Sequence, residues 1–270
     1  MISADIRKQI KDYLEEFIQG LIEQKRAQSV VSPRELRPLR ASAPDGSYRP
    51  FHESILPEGI LRISEFERSF STKLGTTFEE VAKFLAREHW GIAELAYRVR
   101  GTVSEAAIQL IEQICNGISS ARIHRPWPEL VTQVVAVAGD GIERERISDL
   151  YIANPQGEEV FFEIKSPKPN KGQCIELADR LLQIHAIRRA GPPRVRTFFA
   201  MAYNPYGEDK AAYKHSFAMS YLDLDHQVLI GKEFWDLVGG PGSYEQVLEI
   251  YREVGKEKGP DMLEQLALGY

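Results

Sequence analysis

The chain has 270 residues and a mass of 30.7 kDa, enough for one large domain or one domain with a sizeable addition. At 43% hydrophobic and 27% charged it can bury a substantial core, while a mean hydropathy of -0.32 and the lack of any apolar run near ~18 residues exclude a membrane span. A net charge of -5 argues against indiscriminate binding to nucleic acid, and two cysteines, Cys115 and Cys174, are too few for a disulfide framework or a four-Cys zinc site, which points to the reducing cytosol.

The opening MISADIRKQIKDYLEEF is an amphipathic pattern rather than a secretion signal with an apolar centre. Apolar residues at Ile2, Ile6, Ile10, Leu14, Phe17, Ile18 and Leu21 predict a long helix with one buried stripe. The next stretch, SVVSPRELRPLRASAPDGSYRPFHESILPEG, is too irregular for a helix and too long for a plain connector. Ser64 and Glu67 have the spacing of a capping box, which predicts a helix from 64 to near Gly75. Further helices are expected over 77–88 and 104–118, so the first half reads as helical. In the second half ISDLYIA (147–153) reads as a strand, NPQG as a turn and EVFFEIKS (159–166) as another strand. A helix over 175–190 and a buried strand over 195–203 follow. Strand, strand, helix, strand predicts an α/β fold whose central mixed sheet is flanked by helices and contains at least one parallel crossover. A short helix around Trp235 and a polar helix from Tyr244 finish the chain. The expected organisation is a mainly helical N-terminal part (1–125), an α/β core (126–240) and a C-terminal helix (241–270), integrated as one domain.

The net charge hides an asymmetry. From Lys165 to Thr197 there are eight Lys/Arg against Glu176 and Asp179, a local +6, so the rest of the chain carries -11. A second basic stretch runs from Lys25 to His52. Basic patches on an acidic body suit a protein that meets a polyanion on one face, although solvated helix surface has the same composition.

The informative stretch is Asp149 followed by Glu163-Ile164-Lys165. Alternate side chains of a strand share a face, so Glu163 and Lys165 point together while Phe162 and Ile164 point the other way. With a five-residue loop at 154–158, residue 153 pairs with 159 and facing residues sum to 312, which sets Asp149 opposite Glu163. Two carboxylates at that distance repel, and each costs on the order of several kcal/mol to desolvate unless a cation sits between them. All-oxygen ligation favours Mg²⁺. Lys165 beside it can orient or deprotonate a water and offset charge building on a phosphorus centre. A solvent-facing hairpin carrying Asp, Glu and Lys is the plain alternative. The apolar VFF before Glu163 and the basic, proline-containing SPKPNKGQ after it weigh against that alternative.

Asp149, Glu163 and Lys165, followed by a helix and a further strand, resemble the pattern of the PD-(D/E)XK nucleases, with Ser148 where that family usually has proline. The segments FERSFSTKLGTTFEEVAKFLA, ISDLYI, FFEIKSPKPNKGQ and VLIGKEFWDLVGG, spread over about residues 66 to 240, resemble type II restriction endonucleases of the TdeIII kind. The resemblance implies a restriction-endonuclease-like sheet and Mg²⁺-dependent hydrolysis of double-stranded DNA at a short palindrome, something like GGNCC. Asp149 and Glu163 would hold the metal and Lys165 would position the water. Palindromes are read by two-fold symmetric proteins, so a homodimer is expected.

The resemblance also implies a metal-linked carboxylate from a preceding helix. Glu79 and Glu80 are the candidates. On a helical wheel Phe78, Val81, Ala82 and Leu85 share a face, with Glu79 at its edge and Glu80 nearly opposite. A capping box with Thr76 or Thr77 is the other use for either glutamate. Contacts to DNA are expected from Arg34, Arg37 and Arg40 in the Pro/Arg loop and from Lys168, Lys171, Arg188 and Arg189. Gln183 falls where this superfamily often carries a polar residue near the site. His185 and His215 read as structural, and Trp127 as a packed loop anchor. Gly239, Gly240 and Gly242 lack the lysine of a P-loop, so no nucleotide cofactor is expected. Two other readings stay open: a repair or junction nuclease of the same fold, and a catalytically silent DNA-binding module, against which the intact triad argues.

Overall fold

The computed structural model describes residues 1–26, 36, 49–120 and 126–262; Arg34, Arg37 and Arg40 lie outside these described residues. In chain order the elements are α1 (Ala4–Arg26), α2 (Pro50–Ile55), α3 (Glu58–Trp90), β1 (Ile92–Val103), α4 (Glu105–Ser119), α5 (Trp127–Ala136), β2 (Ile142–Ala153), β3 (Glu159–Ile164), α6 (Lys171–Arg188), β4 (Val195–Met201), α7 (Ser216–Tyr221), β5 (Val228–Ile230), α8 (Lys232–Gly239) and α9 (Ser243–Met262). They fall into two units, one of Met1–Ile2 with Phe78–Gln246 and one of Ser3–Thr77 with the chain from Val247 onward.

The second unit rests on the stripe seen in the opening sequence: Ile10, Leu14, Ile18 and Leu21 of α1 are buried. Beside that stripe, Arg7 and Lys11 of α1 meet the polar side of α9 through ion pairs with Glu253 (2.6 Å) and Glu257 (2.8 Å). Phe17 packs on Phe70 of α3 at 6.2 Å between ring centroids.

The first unit is an α/β fold. Its mixed five-stranded sheet has the order β1-β2-β3-β4-β5, antiparallel through β3 and parallel from β3 to β5. The β2–β3 turn closes on Asn154, whose Oδ1 accepts the amides of Gln156 and Glu158, while Gly157 supplies the left-handed φ of 83° that the turn needs. Register follows the sequence arithmetic: Ala153 pairs with Glu159 and Leu150 with Phe162. β3 stops at Ile164, two residues before the expected end, because Pro167 and Pro169 cannot donate to a ladder; the Lys165 amide still reaches Ala200 O at 3.1 Å. The crossover helix α6 starts at a full capping box between Asn170 and Gln173. One face of the sheet, with Tyr151, Phe161 and Phe199, packs against Leu177, Leu181 and Ile184 of α6. On the other face Phe162 meets Phe234 of α8 edge-on at 5.7 Å, and Phe78 of α3 meets Trp235 at 6.4 Å.

Two expectations are corrected. The helices placed over 64–75 and 77–88 are one 33-residue helix, α3. Ser64 lies inside it rather than at a cap, and the Thr76 and Thr77 hydroxyls donate back to the carbonyls of Lys73 and Leu74 instead of capping a new start. Gly75 costs such a helix only about 1 kcal/mol, which packing on both sides of it outweighs. The first half is also not wholly helical: β1 occupies 92–103 and pairs with β2 along nearly its whole length. Trp127 is packed as expected, but as the first residue of α5, with its amide on Asp223 Oδ2 at 2.7 Å. Cys115 and Cys174 are free and buried. Among the described residues no helix is long and apolar enough to cross a membrane.

His185 is fully buried, with Nδ1 at 2.8 Å from Ala190 O and Nε2 at 3.0 Å from Thr197 Oγ1. Burial lowers its pKa from 6.5 to about 4, although the Ala190 carbonyl pulls the other way. The unfolded chain therefore binds a proton between pH 6.5 and 4 that the fold refuses. Stability should fall by about 3 kcal/mol as pH drops through that window. Urea unfolding of the wild type and of His185→Gln at pH 7 and pH 4.5 checks this; an equal acid loss in both proteins rules out His185 as its source.

Candidate active site

The three residues of the motif meet at the C-terminal end of β3. Asp149 Oδ2 accepts two donors, the backbone amide of Ile164 at 2.8 Å and Lys165 Nζ at 2.7 Å. Lys165 Nζ also lies 3.6 Å from Glu163 Oε2, so its ammonium stands between the two carboxylates. Glu163 is 1% exposed, Asp149 18% and Lys165 43%, a gradient from core to surface along one cluster.

Local backbone irregularity aims these groups. The Phe162 amide donates to Ser148 Oγ at 3.1 Å, and the Ile164 amide donates to the Asp149 carboxylate. Ser148 is thus a buried hydroxyl woven into the ladder, its Oγ 2.9 Å from Leu150 O and 3.0 Å from Phe162 O. Across the sheet, Leu95 pairs with Leu150 and Tyr97 with Ser148, which places Ala96 opposite Asp149. Ala96 is left-handed, with φ 49°, a conformation that costs a residue with a Cβ roughly 1–2 kcal/mol. Strain of this kind gathers where a site requires it.

Arg180 of α6 is the residue that the sequence reading missed. Its Nη1 lies 2.8 Å from Glu163 Oε2 and its Nη2 lies 2.8 Å from Glu176 Oε1. The signal was available: a buried glutamate needs a cation, and Arg180 is the only basic side chain of α6 between Lys171 and His185. Glu163 Oε1 is buried without any hydrogen-bond partner. Burial, then the Asp149 charge, pushes the Glu163 carboxyl up to about 7 against the pull of Arg180 and Lys165. Lys165 is held above the usual lysine value: burial disfavours its ammonium, but the Asp149 hydrogen bond and the charges of Asp149 and Glu163 outweigh that. Glu163, Lys165, Arg180, Gln173 and Pro169 line a cavity of about 90 Å³.

Glu79 belongs to the same electrostatic neighbourhood. Its pKa is raised by burial and by Asp149, and Lys165 acts on it in the opposite sense. Glu80 makes an ion pair with Lys83. Val81, Ala82 and Leu85 are buried as the helical wheel required. Gln183 is not brought to the cluster: its Nε2 donates to Asp179 Oδ2, and it lines a different cavity with Arg144 and Arg146.

The basic candidates divide. Arg188 bonds Tyr97 Oη at 3.2 Å and Glu159 Oε1 at 3.1 Å, and Arg189 is tied to Asp140 and Thr102. Both sit at the C-terminal end of α6, and Glu159 starts the strand that Glu163 nearly ends, about 13 Å away at strand spacing. Their charges are already partnered. Lys168 and Lys171 instead stand over the rings of Tyr206 and Tyr221.

The chain is similar to three proteins of Herpetosiphon aurantiacus: the type II restriction enzymes HgiBI (40% identity, 98% of each chain), HgiEI (40%, 98% of each) and HgiCII (41%, 98% of this chain and 99% of the relative). The model of the HinfI type II restriction endonuclease family matches residues 6–255. The sequence segments had suggested the TdeIII kind; the match is to HinfI, and both readings are of type II restriction enzymes. A chain that aligns with such enzymes over nearly its full length, with two carboxylates and a lysine gathered at one strand end, belongs to the HinfI family of type II restriction endonucleases.

Proposed function

We propose that this type II restriction endonuclease hydrolyses double-stranded DNA with Mg²⁺ at the cluster of Asp149, Glu163 and Lys165, in the manner of the PD-(D/E)XK nucleases, and acts as a homodimer on a short palindrome. The observation that carries this reading is the buried Glu163 Oε1, which lacks a partner while Oε2 is held by Arg180. An unpaired carboxylate oxygen in the core is costly unless a cation meets it. The donor set is all oxygen, which suits Mg²⁺. Among the described residues no three His, Cys, Asp or Glu side chains converge on one point, so two carboxylates would share the ion with water and phosphate oxygens, as Mg²⁺ prefers.

When bound, Mg²⁺ supplies a Lewis acid for the phosphate and a water of lowered pKa. Asp149 and Glu163 would hold it, and Glu79 would add negative charge at the rim. Lys165 orients the attacking water and offsets the charge that builds on the phosphorus. The water oxygen forms the new P–O bond and gives up a proton to solvent, the bond to the 3′ oxygen breaks, and that oxygen leaves with a proton from solvent. Arg180 fixes the Glu163 carboxylate through Oε2, which would leave Oε1 for the ion. Lys168 and Lys171 contact phosphates, and Arg34, Arg37 and Arg40 read base edges of a site of the GGNCC kind.

Digestion of plasmid DNA with Mg²⁺, followed by sequencing of the fragment ends, tests the proposal. Discrete fragments sharing one palindromic end sequence are expected. Ca²⁺, larger and less exacting in geometry, should support binding without cutting. Full cleavage in EDTA, or fragments with unrelated ends, contradicts the proposal.

A further inference from the structure

Between β4 and β5 lies a segment, residues 204–221, that the proposed chemistry does not use. It is fastened to the loop that leaves Lys165. Tyr213 Oη donates to Pro167 O at 2.7 Å, and His215 Nε2 donates to Pro169 O at 2.8 Å. Pro169 itself lines the Glu163 cavity, so the segment is tied within a few residues of the carboxylates.

Three lysines collect along this seam on two aromatic rings. Lys168 from the loop and Lys214 from the segment both stand over Tyr206, at 5.4 and 5.9 Å from its centroid, and Lys171 stands over Tyr221 at 5.2 Å. Among the described residues none of the three has a carboxylate within 4.0 Å, although Glu208 and Asp209 lie on the same segment. Nearby cations are treated differently: Lys210 is paired with Glu233 at 2.8 Å, and Arg180, Arg188 and Arg189 all have acids. Two ammoniums from separate stretches of chain on one tyrosine repel each other. The ring quadrupole offsets only ~0.5–1 kcal/mol for each at an exposed site, and an anion between them would remove the conflict. Each ammonium keeps donors free beside the ring.

We propose that the loop 166–171 and the segment 204–221 form one surface for the DNA backbone, in which Lys168, Lys214 and Lys171 contact successive phosphates and Tyr206 and Tyr221 hold the ammoniums in place. The inference rests on the nuclease reading and assigns it a second wall, made by the segment between β4 and β5. The surface reads no base, because a lysine on a phosphate carries no sequence information.

Binding of a duplex is measured by fluorescence anisotropy in EDTA, from 50 to 300 mM salt, for the wild type, Lys214→Ala, the triple variant at 168, 171 and 214, and Lys210→Ala, with a thermal melt of each. Each phosphate contact contributes about 0.9 to the slope of log K against log salt. Lys214→Ala should lower the slope by about 1 and the triple variant by about 3, equally for duplexes with and without a recognition site. Lys210→Ala, whose ammonium is already paired, should leave the slope unchanged. An unchanged slope in the triple variant, with wild-type binding intact, overturns this surface and leaves the nuclease reading standing. Absence of salt-dependent duplex binding by the wild type, in EDTA and in Ca²⁺ alike, would overturn both.

Discussion

Lys165→Ala is expected to lower the single-turnover cleavage rate by several orders of magnitude while DNA affinity and folding change little. Lys168→Ala is expected to weaken binding, with a much smaller effect on the chemical rate. Composition cannot rank these two lysines, but their settings differ. Lys165 Nζ is 2.7 Å from Asp149 and 3.6 Å from Glu163, one strand step beyond a buried carboxylate. Lys168 lies past Pro167, exposed, with its ammonium over Tyr206. A charge needed only as the phosphorus becomes more negative affects the rate and not the ground state. Rapid-quench measurements with enzyme in excess separate the two. A near wild-type rate for Lys165→Ala with a dead Lys168→Ala would remove Lys165, and the triad with it, from the chemistry.

Glu163→Gln should abolish cleavage to a similar degree while leaving the protein as stable as the wild type or more so. Glu163 sits in the core with one oxygen unpartnered, and burial with the Asp149 charge raises its pKa to about 7. The amide keeps the volume and an acceptor for Arg180 but sheds the cost of burying a charge. A gain of about 1 kcal/mol would raise the melting temperature by ~2–4 °C in a chain of this size. Thermal melting alongside the cleavage assay is the check. A large loss of stability would mean that Glu163 serves the fold through Arg180 rather than the reaction.

The hairpin that bears the site was legible because its cues are local. A five-residue turn fixes register, alternation fixes face, and prolines fix where the strand ends; the observed pairing of Ala153 with Glu159 follows from these alone. Crossover topology followed from the order of elements. The strand at 92–103 also carried a local cue that was passed over: Ala93, Leu95, Tyr97, Val99 and Val103 alternate with Glu94, Arg98, Arg100 and Thr102, the period of a half-buried strand. The other features that escaped notice depended on distant partners. The break expected at Gly75 is bridged because neighbouring turns of α3 are held by packing that local propensity does not encode. Arg180 looked like one more surface cation until the Glu163 side chain was seen to need it. Gln183, chosen by analogy of position, lies one turn too far along α6 and turns to Asp179.

The central claim is that Asp149 and Glu163 hold a divalent ion at the end of β3. Calorimetric titration of Mn²⁺ into the protein bound to a non-hydrolysable duplex tests it most directly, with the wild type, Asp149→Asn and Glu163→Gln compared. The account predicts saturable binding in the wild type and affinity at least tenfold weaker in both variants. Equal Mn²⁺ affinity in all three proteins would contradict it.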